Sequence, residues 1–167
     1  MQKLITLLIL VPILIVTLLC SIQTSADSHD LTSYRYIFEY ALLNDLKPYA
    51  SDYLRVGYEN GIDPIFLAAK DAYESGWGTS YLAKSNNNLS GWKDSSGNYM
   101  YFNSYTDCIN HTGVALKENY LSGDGKYFNG YSVSDVGETY AEYSEWDQEI
   151  IDIMYQIESR IDEYNQN

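Results

Sequence analysis

The rhythm of apolar and polar positions changes several times along the chain. Leu4 through Cys20 is a nearly unbroken run of Leu, Ile and Val, with Lys3 the only charge before it. A polar stretch, 27–32, follows. From Ser33 onward apolar residues return at three- and four-residue spacing, the period of a helix with one buried face. Ile37, Tyr40 and Ala41 mark a first helix reaching toward Leu46. Pro48 restarts a second one bearing Ala50, Tyr53 and Leu54, which Gly61 is placed to stop. Asp63-Pro64 then gives an N-cap and a first-turn proline ahead of Ile65, Ala68, Ala69 and Ala72. With Phe66 and Leu67 widening that stripe, this helix is expected to be central, closed by Gly76. Thr79 is the expected cap of a short helix through Leu82-Ala83.

Between Asn86 and Phe102 the helical period disappears. Gly91-Trp92-Lys93, the turn-forming Asp94-Ser95-Ser96-Gly97 and Tyr99-Met100-Tyr101-Phe102 predict a small β-hairpin. Ser104 and Asp107 resemble a capping box for a helix with Ile109, Thr112, Leu116 and Tyr120 on one side. Gly123-Asp124-Gly125 ends it. A short helix around Val133 and Val136 leads to Tyr140. Trp146, Ile150, Ile153, Ile157 and Ile161 then outline a last amphipathic helix. The fold class is α+β, mostly helical with one small hairpin lobe.

The first run adds an organisational expectation. It is short for a membrane span, which wants about 20 apolar residues, and Thr24-Ser25-Ala26 is what a signal peptidase reads. Residues 1–26 are therefore a signal peptide cleaved near Ala26 or an uncleaved membrane anchor, 27–32 a linker, and 33–167 the domain. Leu18-Leu19 before Cys20 lacks the small residue of lipoprotein processing. Either way the domain is exported, and the membrane is touched only through the N-terminal segment. Cys108 is then the one cysteine of the domain, so no internal disulfide supports it and a hydrophobic core must. A formal charge of −13 argues against a nucleic-acid partner. His29 and His111 are isolated, so neither a metal site nor any other cofactor is indicated. A monomer is expected.

Chemistry concentrates in Glu74-Ser75-Gly76-Trp77-Gly78-Thr79-Ser80. A helix gathers negative partial charge at its carboxyl end, and burial beside Trp77 would further disfavour an ionised Glu74. Such a carboxyl is expected to stay protonated near neutral pH and to donate to a glycosidic oxygen. Glycines at 76 and 78 are expected to let a bulky ligand approach the backbone. Taken alone, Glu74 reads equally as an exposed residue on a fraying helix end.

Its flanks favour the first reading. Ala68-Ala69, the heptapeptide from Glu74, Leu82-Ala83-Lys84 and Asn87-Asn88-Leu89-Ser90-Gly91-Trp92-Lys93 resemble the core of the bacterial glucosaminidase family, peptidoglycan endo-β-N-acetylglucosaminidases of lysozyme-like fold. The likeness extends through Phe102-Asn103-Ser104-Tyr105, Tyr127 to Gly130 and Tyr140-Ala141. It implies that Glu74 is the general acid and that Tyr140 lines the cleft near the cleaved bond. Ser90 and Trp92 depart from the family's usual aromatic and aliphatic at those places, which implies rearranged sugar stacking. Members often present a second acid from the hairpin region. Asp94 is the candidate here, with Asp107 better read as a helix cap. Without a second carboxylate, the sugar's own N-acetyl group would attack the anomeric carbon.

Trp77, Trp92, Tyr99, Tyr101 and Trp146 are candidate stacking platforms for sugar rings, each with a competing reading as core. Asn88 is a candidate ligand for an acetamido group, competing with a turn role. The expected partner is the glycan strand of peptidoglycan. A lytic transglycosylase or muramidase of similar fold is the alternative in the same chemistry. A membrane-tethered, non-catalytic glycan-binding module is the alternative in a different class.

Overall fold

The computed structural model describes residues 33–167. The apolar run, the signal-or-anchor choice and the 27–32 linker lie outside these residues. Ile37–Asn167 form a compact unit of their own. In chain order the elements are α1 (residues 33–41), a 3-10 turn (Asn44–Tyr49), α2 (Ala50–Asn60), α3 (Pro64–Ser75), α4 (Tyr81–Asn86), α5 (Tyr105–Leu116) continuing into a π-helical turn (Lys117–Leu121), α6 (Val133–Tyr140) and α7 (Trp146–Gln166). Among the described residues no helix is long and apolar enough to cross a membrane.

Most boundaries sit where local chemistry put them. Gly61 ends α2 in the left-handed conformation, at φ 67°. Asp63 accepts from the Ile65 N–H to cap α3, with Pro64 behind it. Ser104 accepts from the Asp107 N–H at the start of α5. One cap differs from expectation by a residue. Ser80, not Thr79, accepts from the Ala83 N–H, while the Thr79 hydroxyl donates to the Gly76 carbonyl at 2.7 Å.

The central helix is α3, packed against α2 on one side and α7 on the other. Phe66, Leu67, Ala68, Ala69 and Ala72 are buried there. Ile150 and Ile157 meet them from α7, Tyr53 and Val56 from α2, and Ile109 and Leu116 from α5, all essentially inaccessible to solvent. Each fully buried side chain of this size contributes about 1.5–3 kcal/mol of transfer free energy.

The hairpin lobe is a correction. Among the described residues there is no β-strand, only an isolated antiparallel bridge between Lys93 and Tyr99. The reversal does form: Gly97 N–H donates to Asp94 O, Asp94 N–H to Asn98 O, and Met100 N–H to Trp92 O. What stops a ladder is Asn88. Its amide nitrogen donates to the Trp92 and Met100 carbonyls at 2.8 and 3.0 Å, and its oxygen accepts from the Trp92 N–H at 3.0 Å. Neighbouring Asn87 donates to the Phe102 carbonyl, and the Phe102 N–H donates to Asn86 O. Side chains thus occupy backbone groups that strand pairing would need. The architecture is mostly helical, with an irregular loop where the hairpin was expected.

Candidate active site

Glu74 lies in the last turn of α3, immediately before a tight reversal. Gly76, Trp77 and Gly78 are consecutively left-handed, at φ 57°, 59° and 82°, a conformation costly for a tryptophan. Ser75 locks it by donating to the Asp71 carbonyl and accepting from the Gly78 N–H at 2.7 Å. A Cβ on Gly78 would stand 3.0 Å from Asp45 Cβ and 3.2 Å from Leu46 Cδ2. The missing side chain of Gly78 therefore admits the 3-10 turn, not a ligand as the sequence suggested. The glycine that faces the carboxyl is Gly91, where a Cβ would lie 4.0 Å from Glu74 Oε2.

The indole on Glu74 comes from far along the chain. Trp146, at the start of α7 and 2% exposed, donates through Nε1 to Glu74 Oε1 at 3.0 Å. Its ring lies 5.1 Å from that of Tyr140, at the end of α6. Tyr140 also meets Tyr120 at 5.3 Å and the edge of Trp92 at 6.2 Å, and Tyr120 stacks on Tyr127 at 5.1 Å. Trp92 is held by its own N–H, which donates to Thr112 Oγ1 at 2.8 Å. The arrangement is an acid oriented by one indole and flanked by a row of aromatic rings. It suits a carbohydrate, whose apolar ring faces stack on aromatic carbon.

Behind the acid lies a polar cluster that the sequence did not disclose. Lys70 and Asp71 are both fully buried, with Nζ 3.2 Å from Asp71 Oδ1. Asp71 also accepts from Ser90 Oγ at 2.6 Å and from the Tyr53 hydroxyl at 3.1 Å, and Ser90 bonds Thr112. Burial by itself would lower the Lys70 ammonium, but Tyr140, Asp71 and Glu74 outweigh it and hold it well above the lysine range. Burial pushes the Tyr140 hydroxyl up to about 12, with Lys70 pulling down and Glu74 adding to the rise. Two signals for Lys70 were present. It interrupts an apolar run, and it precedes Glu74 by four residues, on the same helix face.

The remaining candidates are placed as follows. Trp77 is half-buried and packs against the hydrophobic core. Asn88 is 1% exposed and committed to the backbone of 92–100. Tyr101 is 69% exposed and Tyr99 54%. Asp94 is exposed, and its Oδ1 accepts from the Ser96 and Asn98 N–H groups. Cys108 is buried and free, its thiol pushed up to about 11 by burial. No cluster of three or more His, Cys, Asp or Glu able to hold a metal occurs among the described residues. A cavity of 560 Å³ lined by Phe66, Leu121, Val133 and Met154 opens at the far end of α3, away from the acid.

Residues 50–159 match the profile of the glucosaminidase family, described as mannosyl-glycoprotein endo-beta-N-acetylglucosaminidase. The chain belongs to this family. The matched span includes Lys70, Glu74, Trp92, Tyr140 and Trp146, so the whole aromatic-lined site falls inside the glucosaminidase region. The family makes the protein an endo-β-N-acetylglucosaminidase, a glycoside hydrolase. The glucosaminidase is similar in fold to the crystal structure of the catalytic domain of the autolysin Auto from Listeria monocytogenes. That likeness has a TM-score of 0.53 at 17% identity and covers 81% of this chain and 96% of that one. No curated protein matches the chain.

Proposed function

We propose that this glucosaminidase is exported and cuts peptidoglycan glycan strands at N-acetylglucosaminyl bonds, with Glu74 as general acid. The observation that bears most on this is the Trp146–Glu74 hydrogen bond beside Tyr140. It fixes one carboxyl oxygen and leaves Oε2 on the side of Gly91. Glu74 gives its proton to the glycosidic oxygen as the bond to the anomeric carbon breaks. Tyr140 steadies the reacting sugar, and Trp92 and Tyr101 support neighbouring rings. Because Asp94 is engaged by its own turn, we favour attack by the substrate's acetamido carbonyl over an Asp94 nucleophile. The oxazolinium ion so formed is opened by water at the anomeric carbon, and the water's proton goes to the Glu74 carboxylate, which restores the acid. The apolar run at Leu4–Cys20 supports export, and cell fractionation tests it.

The nature of the cut is read from the released ends. Sacculi are digested with purified protein, the soluble fragments reduced with borohydride, and the reduced sugar of each product identified by tandem mass fragmentation. Reduced N-acetylglucosamine ends are expected. Anhydro-muramyl ends would assign a lytic transglycosylase, and reduced muramic ends a muramidase. Binding to walls without fragment release would leave only a glycan-binding module.

A further inference from the structure

Lys70 is the buried charged group that acid catalysis by Glu74 does not use. A lysine taken wholly out of water is costly unless its ammonium is engaged on several sides. Asp71 is a poor sole reason for it, because that carboxylate already receives Ser90 on one oxygen and Tyr53 on the other. The ammonium reaches further, to 5.2 Å from the Tyr140 ring centroid. It stands one helical turn before Glu74, where side chains four apart share a face. Two α3 residues, Lys70 and Glu74, therefore address one α6 tyrosine.

We propose that Lys70 is a positioning residue for the reaction, a solvent-shielded cation that holds Tyr140 in place and stabilises the negative charge left on Glu74 after proton transfer. This rests on the reading of Glu74 as general acid. The proton given to the glycosidic oxygen comes from Glu74 alone. Lys70 keeps its own throughout, its ammonium held well above the lysine range against the pull of burial by Tyr140, by Asp71 and, once the proton has left it, by Glu74. A fixed, buried cation one helical turn from the acid favours the charge-separated state more than the neutral one. The groups facing Glu74 are Lys70 from its own helix, Tyr140 from α6 and the neutral indole of Trp146 from α7. Burial, and then the neighbouring Glu149 and Glu74, push the Tyr73 hydroxyl up.

The test uses the full chain with a soluble N-acetylglucosamine oligomer or solubilised glycan strands, measured from pH 4 to pH 9. Lys70→Met keeps the length of the side chain and removes its charge. The paired variant Lys70→Met/Asp71→Asn removes the orphaned carboxylate charge and so keeps the question open to measurement if the single variant folds poorly. Thermal melts establish the folded fraction of each. Expected for folded protein is a fall in kcat of roughly tenfold or more with KM changed far less. The limb on which activity declines with rising pH should move to higher pH. A cycle with Tyr140→Phe should be non-additive, since Lys70 acts partly through that hydroxyl. Unchanged kcat with a superimposable pH profile would overturn the role of Lys70 while leaving Glu74 untouched. Full activity in Glu74→Gln would instead remove the reading on which it rests.

Discussion

Trp146 Nε1 donates to Glu74 Oε1 across 72 positions of sequence, joining the start of α7 to the end of α3 at 3.0 Å. The bond ties the orientation of the acid to the docking of the last helix. Trp146 also stacks near Tyr140, so one buried indole organises both candidate catalytic side chains.

Trp146→Phe keeps an aromatic ring in the buried site and removes the donor. Activity on cell walls should fall about 10- to 100-fold, because an oriented carboxyl becomes free to rotate. Stability should fall by about 1–3 kcal/mol, one hydrogen bond plus the void left by the smaller ring at a site 2% exposed. Assay rates beside urea unfolding curves check both.

Gly78→Ala tests the reversal that follows the acid. The added Cβ would press on Asp45 and Leu46 in a backbone at φ 82°. A destabilisation of about 1–3 kcal/mol is expected from overpacking and left-handed strain together. Gly97→Ala, also at φ 82° but with nothing within 4 Å, isolates the strain and should cost less. Equal midpoint shifts in thermal melts would contradict the packing role of Gly78.

Asp71→Ala should be among the most damaging single changes, at about 3–5 kcal/mol. It removes the carboxylate bonded by Lys70, Ser90 and Tyr53 and strands the buried ammonium. Tyr53→Phe removes one donor and should cost about 1–2 kcal/mol. Denaturant midpoints of the two variants should fall in that order.

Alkaline pH should weaken the fold from within. Burial raises the Cys108 thiol from 9.0 to about 11 and the Tyr140 hydroxyl from 10.0 to about 12. Groups raised on folding leave stability intact below their unfolded values, so these two contribute no pH dependence below about pH 8. Stability is then lost as pH climbs through 9 to 12, because the unfolded chain releases those protons first. Cys108 contributes on the order of 2 kcal/mol to the loss, and Cys108→Ala should flatten the early part of the decline in urea titrations.

The sequence disclosed what local chemistry decides. Asp63-Pro64, Gly61 and Gly76 mark helix ends through φ preference and cap hydrogen bonds that need no distant partner, and each lies where expected. The expected hairpin does not form a ladder, and residue type and a polar turn cannot reveal that Asn88 occupies the ladder's backbone groups. Glu74 stands out in its heptapeptide, but the sequence points to adjacent Trp77 as its indole, because the Trp146 contact depends on how α7 packs. Lys70 is not legible as a buried group from sequence, because a lysine is normally solvated. Only the convergence of Asp71, Tyr140 and Glu74 around it explains its burial.

The role of Glu74 is tested most directly by Glu74→Gln. The replacement retains an oxygen for the Trp146 indole and nearly the same shape, so the site should stay assembled while losing its transferable proton. Reducing ends released from purified sacculi are counted over time for wild type and variant at equal folded concentration. A drop of about 10²–10⁴-fold is expected for loss of a general acid. Release at the wild-type rate would contradict the assignment.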